Sequence, residues 1–520
     1  MKRVIPVFFC FIFTFSLLLL RLYTLATDST QGSAAHNTVT LEAASARGYI
    51  LDCNGEPFVN ETVRSVAAAV PLPGVAEKLR QVMPEAAFHT AYARLSGGFP
   101  VVAEVTKDVH ADGLCTVHCP VRYGETLLIP HLAGYCDSAG HGVCGLEKSY
   151  DALLSARTCT VTFAVDAKGR ALCGETPTVR DEGILTPHGV VLTLDKRMQT
   201  VVREEMLRSG YRKGAAVLLD VHTGDIKAMV SVPEYDVTAV GDSLHDPDAP
   251  FINRALNAVS VGSVYKMIVA AAALEDGISP AYTYTCTGST VQNDVTFHCH
   301  LRSGHGTLDM REAMYHSCNT WFINMAREIP VEDILDLSWR MGLGSSVTLA
   351  DGIVGDAGAV PEPEELAADA ARANLAFGQG RLTASPLQMA AATAVIANGG
   401  IYYEPRLVAA LQMTERTALP QSTGSRALTE RTAQKVRELL IYTAKQTESL
   451  TFKDCGGKTA TAQSGVYENG EEILHTWYSG FFPAQAPQYV LTVLCEEGTS
   501  GTEDCIPVFE RIVRRIDKLF

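Results

Sequence analysis

The chain has 520 residues, a formal net charge of -15, 47% hydrophobic residues and 19% charged residues. Such a length predicts two or three domains, and the apolar content predicts ample core in place of disorder. The negative balance excludes nucleic acid as a partner, because phosphate binding needs a basic footprint.

Lys2 and Arg3 precede an apolar run over residues 4–20, closed by Arg21. A signal-peptide core is about 7 to 15 residues long and ends in a small-residue cleavage site. A membrane-spanning helix needs roughly 17 to 25 residues. Extended to Ala26, the run reaches that length if Arg21 snorkels to the interface. An uncleaved anchor over residues 1–26 is therefore the expectation, with a cleaved signal as the alternative. The basic end would be cytoplasmic and the bulk of the chain outside. Fourteen cysteines then sit where disulfides are permitted. Cys10 belongs to the apolar run, and the remaining odd number leaves at least one thiol unpaired.

Residues 27–40 read as a polar, flexible lead. From residue 41 to about 187, short strand-like runs (66–70 and 160–165) alternate with Gly and Pro breaks, which predicts an irregular, strand-rich module. It carries no catalytic constellation. A domain boundary is expected at 188/189. Beyond it, residues 190–194 read as a strand and 196–208 as an amphipathic helix. Residues 215–220 and 226–232 read as a hairpin closed by His222-Thr223-Gly224-Asp225. Helices are expected from Ser263 onward and over 310–326, 331–341 and 386–398. Strands over 477–482 and 489–495 and a helix over 508–519 close the chain. Strands, a helical middle, then strands again predict a sheet completed by both ends of the 189–520 domain.

One tetrapeptide carries candidate chemistry: Ser263-Val264-Tyr265-Lys266. Alone it is uninformative, since Ser-x-x-Lys arises by chance about twice in a chain of this size. Its context is more telling. Gly262 precedes the serine, and residues 267–274 form a helical run apolar on every face. Ser263 and Lys266 at i, i+3 share one face. A serine hydroxyl needs a neighbouring base to become a nucleophile, and burial of the helix lowers the lysine pKa enough for that task. The competing reading is an N-cap serine with a surface lysine. Two further elements favour the catalytic one: Ser317-Cys318-Asn319, and Gly456-Gly457-Lys458-Thr459-Ala460-Thr461 ahead of the closing strands. Ser-x-x-Lys, Ser-x-Asn and Lys-Thr-Gly in this order mark serine β-lactamases and penicillin-binding proteins. A cation and hydroxyls at Lys458, Thr459 and Thr461 also suit an acyl donor that ends in a free carboxylate.

Taken together, the chain resembles a class B penicillin-binding protein, a peptidoglycan D,D-transpeptidase, over nearly its whole length. Further support comes from Arg47-Gly48 with Asp52 and Asn54-Gly55, and from Gly145-Leu146-Glu147-Lys148-Ser149-Tyr150-Asp151. Gly378-Gln379-Gly380 and His475-Thr476-Trp477-Tyr478 also match. The resemblance implies an α+β (or α/β) fold: a serine β-lactamase-like transpeptidase domain over 189–520 with an antiparallel sheet and a helical subdomain. A strand-rich N-terminal pedestal over 27–188 and one transmembrane helix complete it. It implies that Ser263 attacks the penultimate D-alanine carbonyl of a stem pentapeptide and releases terminal D-alanine. Lys266 would accept and return protons, Ser317 would relay to the leaving amine, and Asn319 would position the peptide. Lys458, Thr459 and Thr461 would hold the terminal carboxylate. Backbone N–H groups of Ser263 and Thr461 would form an oxyanion hole, each donor worth about 2.7 to 4 kcal/mol. No cofactor and no metal are expected. The partners implied are peptidoglycan stem peptides, β-lactams as inhibitors, and a membrane-embedded glycosyltransferase. Alternatives are a β-lactam-hydrolysing or sensing acyl-serine protein, or a non-catalytic cell-wall scaffold.

The sequence departs from the family at Ala460, where glycine is usual, and at Val261, where proline is usual. The extra methyl at Ala460 faces either the substrate or the serine helix. Outside the motifs, Cys286 and Cys299 with His300 and His305 read as a disulfide, as free thiols or, with an unfamiliar spacing, as a metal site. Cys115 and Cys119 with His110 and His118 read as a surface loop. Cys318 reads as a small buried residue near the site, His475 as structural, and Tyr265 as a packing residue.

Overall fold

The computed structural model describes residues 4–27 and 37–519. Val4–Thr27 is a single helix, and its Val7–Thr24 stretch is long and apolar enough to cross a membrane. Lys2, Arg3 and residues 28–36 of the expected lead lie outside the described residues. The end of that lead is not irregular: Asn37–Ala46 is a strand paired antiparallel with Arg157–Val165.

The chain divides into two compact units that are not consecutive stretches. The first comprises Met1–Arg47, Thr62–Val121 and Ala156–Thr186. It contains two three-stranded sheets, one built on Arg157–Val165 and one on Thr62–Ala69. Alternate residues of Thr62–Ala69 serve separate cores: Val66 and Ala68 pack with Val161 and Phe163, whereas Ala67 and Ala69 pack with Leu79 and Leu95. That division follows the two-residue period of a strand covered on both faces. Cys115 and Cys119 lie on the strand Leu114–Val121 and are buried, so the expected surface loop is a core strand. Its β-branched and aliphatic neighbours explain the outcome, since they favour a half-buried pleat.

The second unit comprises Gly48–Glu61, Arg122–Ser155 and Pro187–Phe520. One crossing between units, after Thr186, lies near the expected boundary; the others leave no mark in composition. Two early motifs thus belong to the larger unit, Arg47 of the first excepted. Asp52 accepts the backbone N–H groups of Asn54 and Glu56 at 2.8 Å, and its other oxygen accepts that of Lys196 at 3.0 Å. Glu147, fully buried, is bound by Arg122 at 2.6 Å and by the Tyr123 hydroxyl at 2.9 Å.

At the centre of this unit is a five-stranded antiparallel sheet. Its spatial order is Ile226–Val232, Gly214–Asp220, Tyr489–Cys495, Glu471–Phe482 and Gly456–Glu468. Both ends of the domain therefore complete one sheet, as the element order predicts. Along Gly214–Asp220, Ala215, Val217 and Leu219 face a core shared with the helices Lys266–Glu275 and Pro386–Ala397. Ala216 and Leu218 face a second core shared with Lys196–Arg208 and Cys505–Ile516. Burial on both faces is why these strands read as unbroken apolar runs. The expected 310–326 helix is in fact two, Met310–Tyr315 and Asn319–Met325, and the interruption holds the second motif.

Candidate active site

Ser263 lies in a 3-10 turn, Gly262–Tyr265, that runs directly into the helix Lys266–Glu275. Gly262 takes a φ of 65°, and a Cβ there would stand 2.9 Å from the Ala462 Cβ. Only glycine allows the turn to lie this close to the strand Gly456–Glu468, with a left-handed backbone. Two other contacts fix the approach to the serine. The Gly262 N–H donates to the Gly378 carbonyl at 2.8 Å, and Trp477 Nε1 donates to the Ser260 carbonyl at 3.0 Å. Both partners lie in segments that the sequence marks, but their link to the serine turn is long-range and invisible in one dimension. Tyr265 packs as expected: it is fully buried and its hydroxyl meets Ser338 Oγ at 2.7 Å.

Three residues of the first two motifs converge. Lys266 Nζ donates to Asn319 Oδ1 at 2.7 Å, to the Ser317 carbonyl at 2.7 Å and to Ser317 Oγ at 3.1 Å. Ser317 takes a φ of 49°, a left-handed conformation unusual for a residue with a Cβ. The interruption between the two helices turns its carbonyl and its side chain onto the same amine. Lys266 is fully buried, and loss of hydration, followed by the charge of Lys458, holds its pKa well below the ordinary lysine value.

The third motif lies on the edge strand Gly456–Glu468. Strand alternation places Lys458, Ala460 and Ala462 on the buried side, with Thr459 half-buried and Thr461 exposed on the other. Burial lowers the Lys458 pKa to about 7, and its Nζ donates to the Thr459 carbonyl at 3.1 Å. Thr461 Oγ1 accepts from the Gly501 N–H at 3.4 Å. The arrangement thus offers a serine and a buried amine on one turn, a second serine and an amide on that amine, and accessible hydroxyls in front of a second buried amine.

Residues 214–516 match the penicillin binding protein transpeptidase domain. The chain belongs to that family. A curated relative, penicillin-binding protein PbpB of Mycobacterium tuberculosis, is 27% identical over 428 residues, covering 75% of this chain and 60% of the relative. The peptidoglycan D,D-transpeptidase PbpA of the same organism is 30% identical over 335 residues, covering 59% of this chain and 67% of the relative. The chain thus spans about 60% of the length of the first of these relatives. Among solved structures, the D,D-transpeptidase domain of a peptidoglycan glycosyltransferase from Eggerthella lenta superposes with a TM-score of 0.65. The two are 22% identical over 91% of this chain and 98% of that one. At that identity the likeness concerns the fold.

Within this penicillin-binding family, the Ala460 methyl has a definite place. Ala460 is 3% exposed, and its Cβ lies 3.4 Å from where a Gly262 Cβ would stand. The methyl therefore packs beneath the serine turn and does not face the accessible side that Thr459 and Thr461 line. Cys318 is fully buried, and His475 Nδ1 meets the Glu496 carbonyl at 3.2 Å, both as the sequence suggests.

Proposed function

We propose that this protein is a peptidoglycan D,D-transpeptidase acting through an acyl-Ser263 intermediate. The observation that carries the reading is the grip of Ser317 and Asn319 on Lys266 Nζ, one turn beyond Ser263. A neutral Lys266 gives its two N–H groups to Asn319 Oδ1 and the Ser317 carbonyl, the two contacts at 2.7 Å, and turns its lone pair to the Ser263 proton. Ser263 Oγ then attacks the carbonyl of the penultimate D-alanine, and the Ser263–O–C bond forms as the peptide C–N bond breaks. The proton returns through Lys266 and Ser317 to the leaving D-alanine amine. Asn319 positions the donor peptide, and the backbone N–H groups of Ser263 and Thr461 stabilise the oxyanion. Thr459 and Thr461 meet the terminal carboxylate directly. Lys458 acts from behind them, and an arriving anion raises its pKa again and restores the cation. An amine from a second stem peptide resolves the acyl-enzyme, forming a crosslink. β-Lactams, which present a carboxylate beside a strained amide, acylate the same serine.

The apolar N-terminal helix supports a single-pass membrane protein with its catalytic domain outside the cytoplasm. The two three-stranded sheets of the smaller unit supply the pedestal, and a membrane-embedded glycosyltransferase is the partner proposed to lay down the strands that the larger unit crosslinks. The test is mass spectrometry of tryptic peptides after reaction with penicillin. The acyl group should appear on the peptide containing Ser263 and vanish in Ser263→Ala. An adduct that persists in Ser263→Ala overturns the reading, and rapid turnover without an adduct points to a hydrolase.

A further inference from the structure

Three cysteines and a histidine, spaced 6 to 13 residues apart between positions 286 and 318, converge at the second motif. They are Cys286, Cys299, His305 and Cys318, and their ligand atoms all lie within 4.8 Å of one another. The His305 Nδ1 stands 3.6 Å from Cys286 Sγ and 3.5 Å from Cys299 Sγ, and Cys299 Sγ stands 3.9 Å from Cys318 Sγ. A tetrahedral ion with metal–sulfur bonds of about 2.3 Å and a metal–nitrogen bond of about 2.0 Å has edges near 3.8 Å (S···S) and 3.5 Å (S···N). These spacings are those of a four-coordinate ligand cage. They are far too long for a disulfide, whose sulfurs lie about 2.05 Å apart, and a disulfide would leave one thiol and the imidazole unused.

The cage is held from several directions. Cys286 ends the strand Tyr284–Cys286, which pairs with Gly306–Leu308, so His305 directly precedes its partner strand. The Cys299 N–H donates to the Gly288 carbonyl at 2.9 Å. Gly304 has a φ of 82°, and a Cβ there would fall 2.3 Å from the Cys286 carbonyl oxygen. The glycine lets the two ligand loops touch. Cys286, Cys299 and Cys318 are buried, whereas the neighbouring hairpin exposes Val291 and Val295. Isolated two-stranded pieces are marginal in water, and these have little core of their own.

We infer that Cys286, Cys299, His305 and Cys318 form a structural binding site for a thiophilic divalent cation, zinc by ligand type and geometry. Three thiols give up three protons on binding, and the ion with three thiolates and a neutral imidazole carries a net charge of -1. All four positions are filled by protein, so the ion has no open site and takes no part in chemistry. Its role is positioning. Cys318 stands between Ser317 and Asn319, the two residues that hold Lys266, and Asn319 Nδ2 also reaches the His298 carbonyl at 3.4 Å. The ion would tie the second motif to the loops that carry Cys286, Cys299 and His305.

The experiment uses the full chain, purified in detergent with a phosphine reductant and loaded with Zn2+ or Co2+. Elemental analysis should find about one zinc per chain. The Co2+ form should show thiolate-to-cobalt charge transfer and the intense visible bands of a tetrahedral site. Cys286→Ala and Cys299→Ala should weaken the charge transfer and lower the retained metal, whereas Cys173→Ala, at an exposed cysteine, should change neither. The wild-type Co2+ spectrum needs no variant and stands even if a variant fails to fold. A wild-type chain that retains no metal and gives no thiolate spectrum overturns the inference. So does full retention in the Cys286→Ala/Cys299→Ala double variant.

Discussion

Lys266 Nζ and Asn319 Oδ1, 53 residues apart in sequence, meet at 2.7 Å inside a site that excludes water from the amine. This contact joins the first motif to the second and sets the direction in which the lysine can take a proton.

Removing that contact should slow acylation without unfolding the protein. Lys266 becomes charged as it takes the serine proton, and a hydrogen bond to a charged group is worth about 1.5 to 3 kcal/mol, so Asn319→Ala should lower the penicillin acylation rate by roughly 10- to 150-fold. Lys266→Met removes the base itself and should cost about 100- to 10,000-fold. Stopped-flow measurement with a fluorescent penicillin, alongside a thermal melt, separates loss of chemistry from loss of fold.

The pH dependence of acylation should follow the lysine. Burial and the Lys458 charge depress the Lys266 pKa, so the neutral base becomes populated well below the ordinary lysine range. The acylation rate should rise with pH through a midpoint far below 10.5 and level off above it. A midpoint near that ordinary value would argue against Lys266 as the base.

Lys458 has a separate consequence for stability. Its folded pKa is about 7, against 10.5 ordinarily. Between those values the unfolded chain holds a proton that the folded chain has shed, so this group makes stability rise with pH. Below about 7 both states are protonated and the cost of the buried charge is constant. Each unit of displacement corresponds to about 1.36 kcal/mol. Lys458→Met should therefore raise the melting temperature at pH 7, with a gain that shrinks as the pH approaches 10.

The two small residues at the serine turn should respond in opposite ways. Gly262→Ala forces a left-handed alanine, at roughly 1 to 2 kcal/mol, against Ala462 and should abolish acylation. Ala460→Gly deletes a buried methyl and loosens a strand, destabilising by about 1 to 2 kcal/mol. Its acylation rate should stay within a few-fold, because that methyl faces the turn. Parallel melts and acylation rates for the two variants check both claims.

Metal removal should be visible as lost stability. A ligand present at about a thousand times its Kd stabilises the folded state by about 4 kcal/mol. A chelator should lower the melting temperature of the reduced wild type, and added Zn2+ should restore it. The Cys286→Ala/Cys299→Ala double variant should melt at the same temperature with and without chelator.

The sequence by itself determined what depends on local pattern. The helix Lys196–Arg208, the hairpin strands around Thr223-Gly224 and the apolar serine helix follow from periodicity and turn chemistry. Short spacings within the three motifs named the family, because the chemistry needs those residues a few positions apart. Long-range packing decided the rest. The meeting of Lys266 with Ser317 and Asn319 depends on a break in what reads as one helix, since apolar periodicity continues across Ser317 while its backbone does not. Placement of Gly48–Glu61 and Arg122–Ser155 with the catalytic unit rests on contacts such as Asp52 with Lys196, which composition does not encode. The direction of the Ala460 methyl became definite only with the strand's neighbours in place. Cys318 reads as a lone buried thiol until folding brings Cys286, Cys299 and His305 around it. A ligand cage is defined by distances between side chains, and a linear spacing constrains those distances only within a single turn or strand.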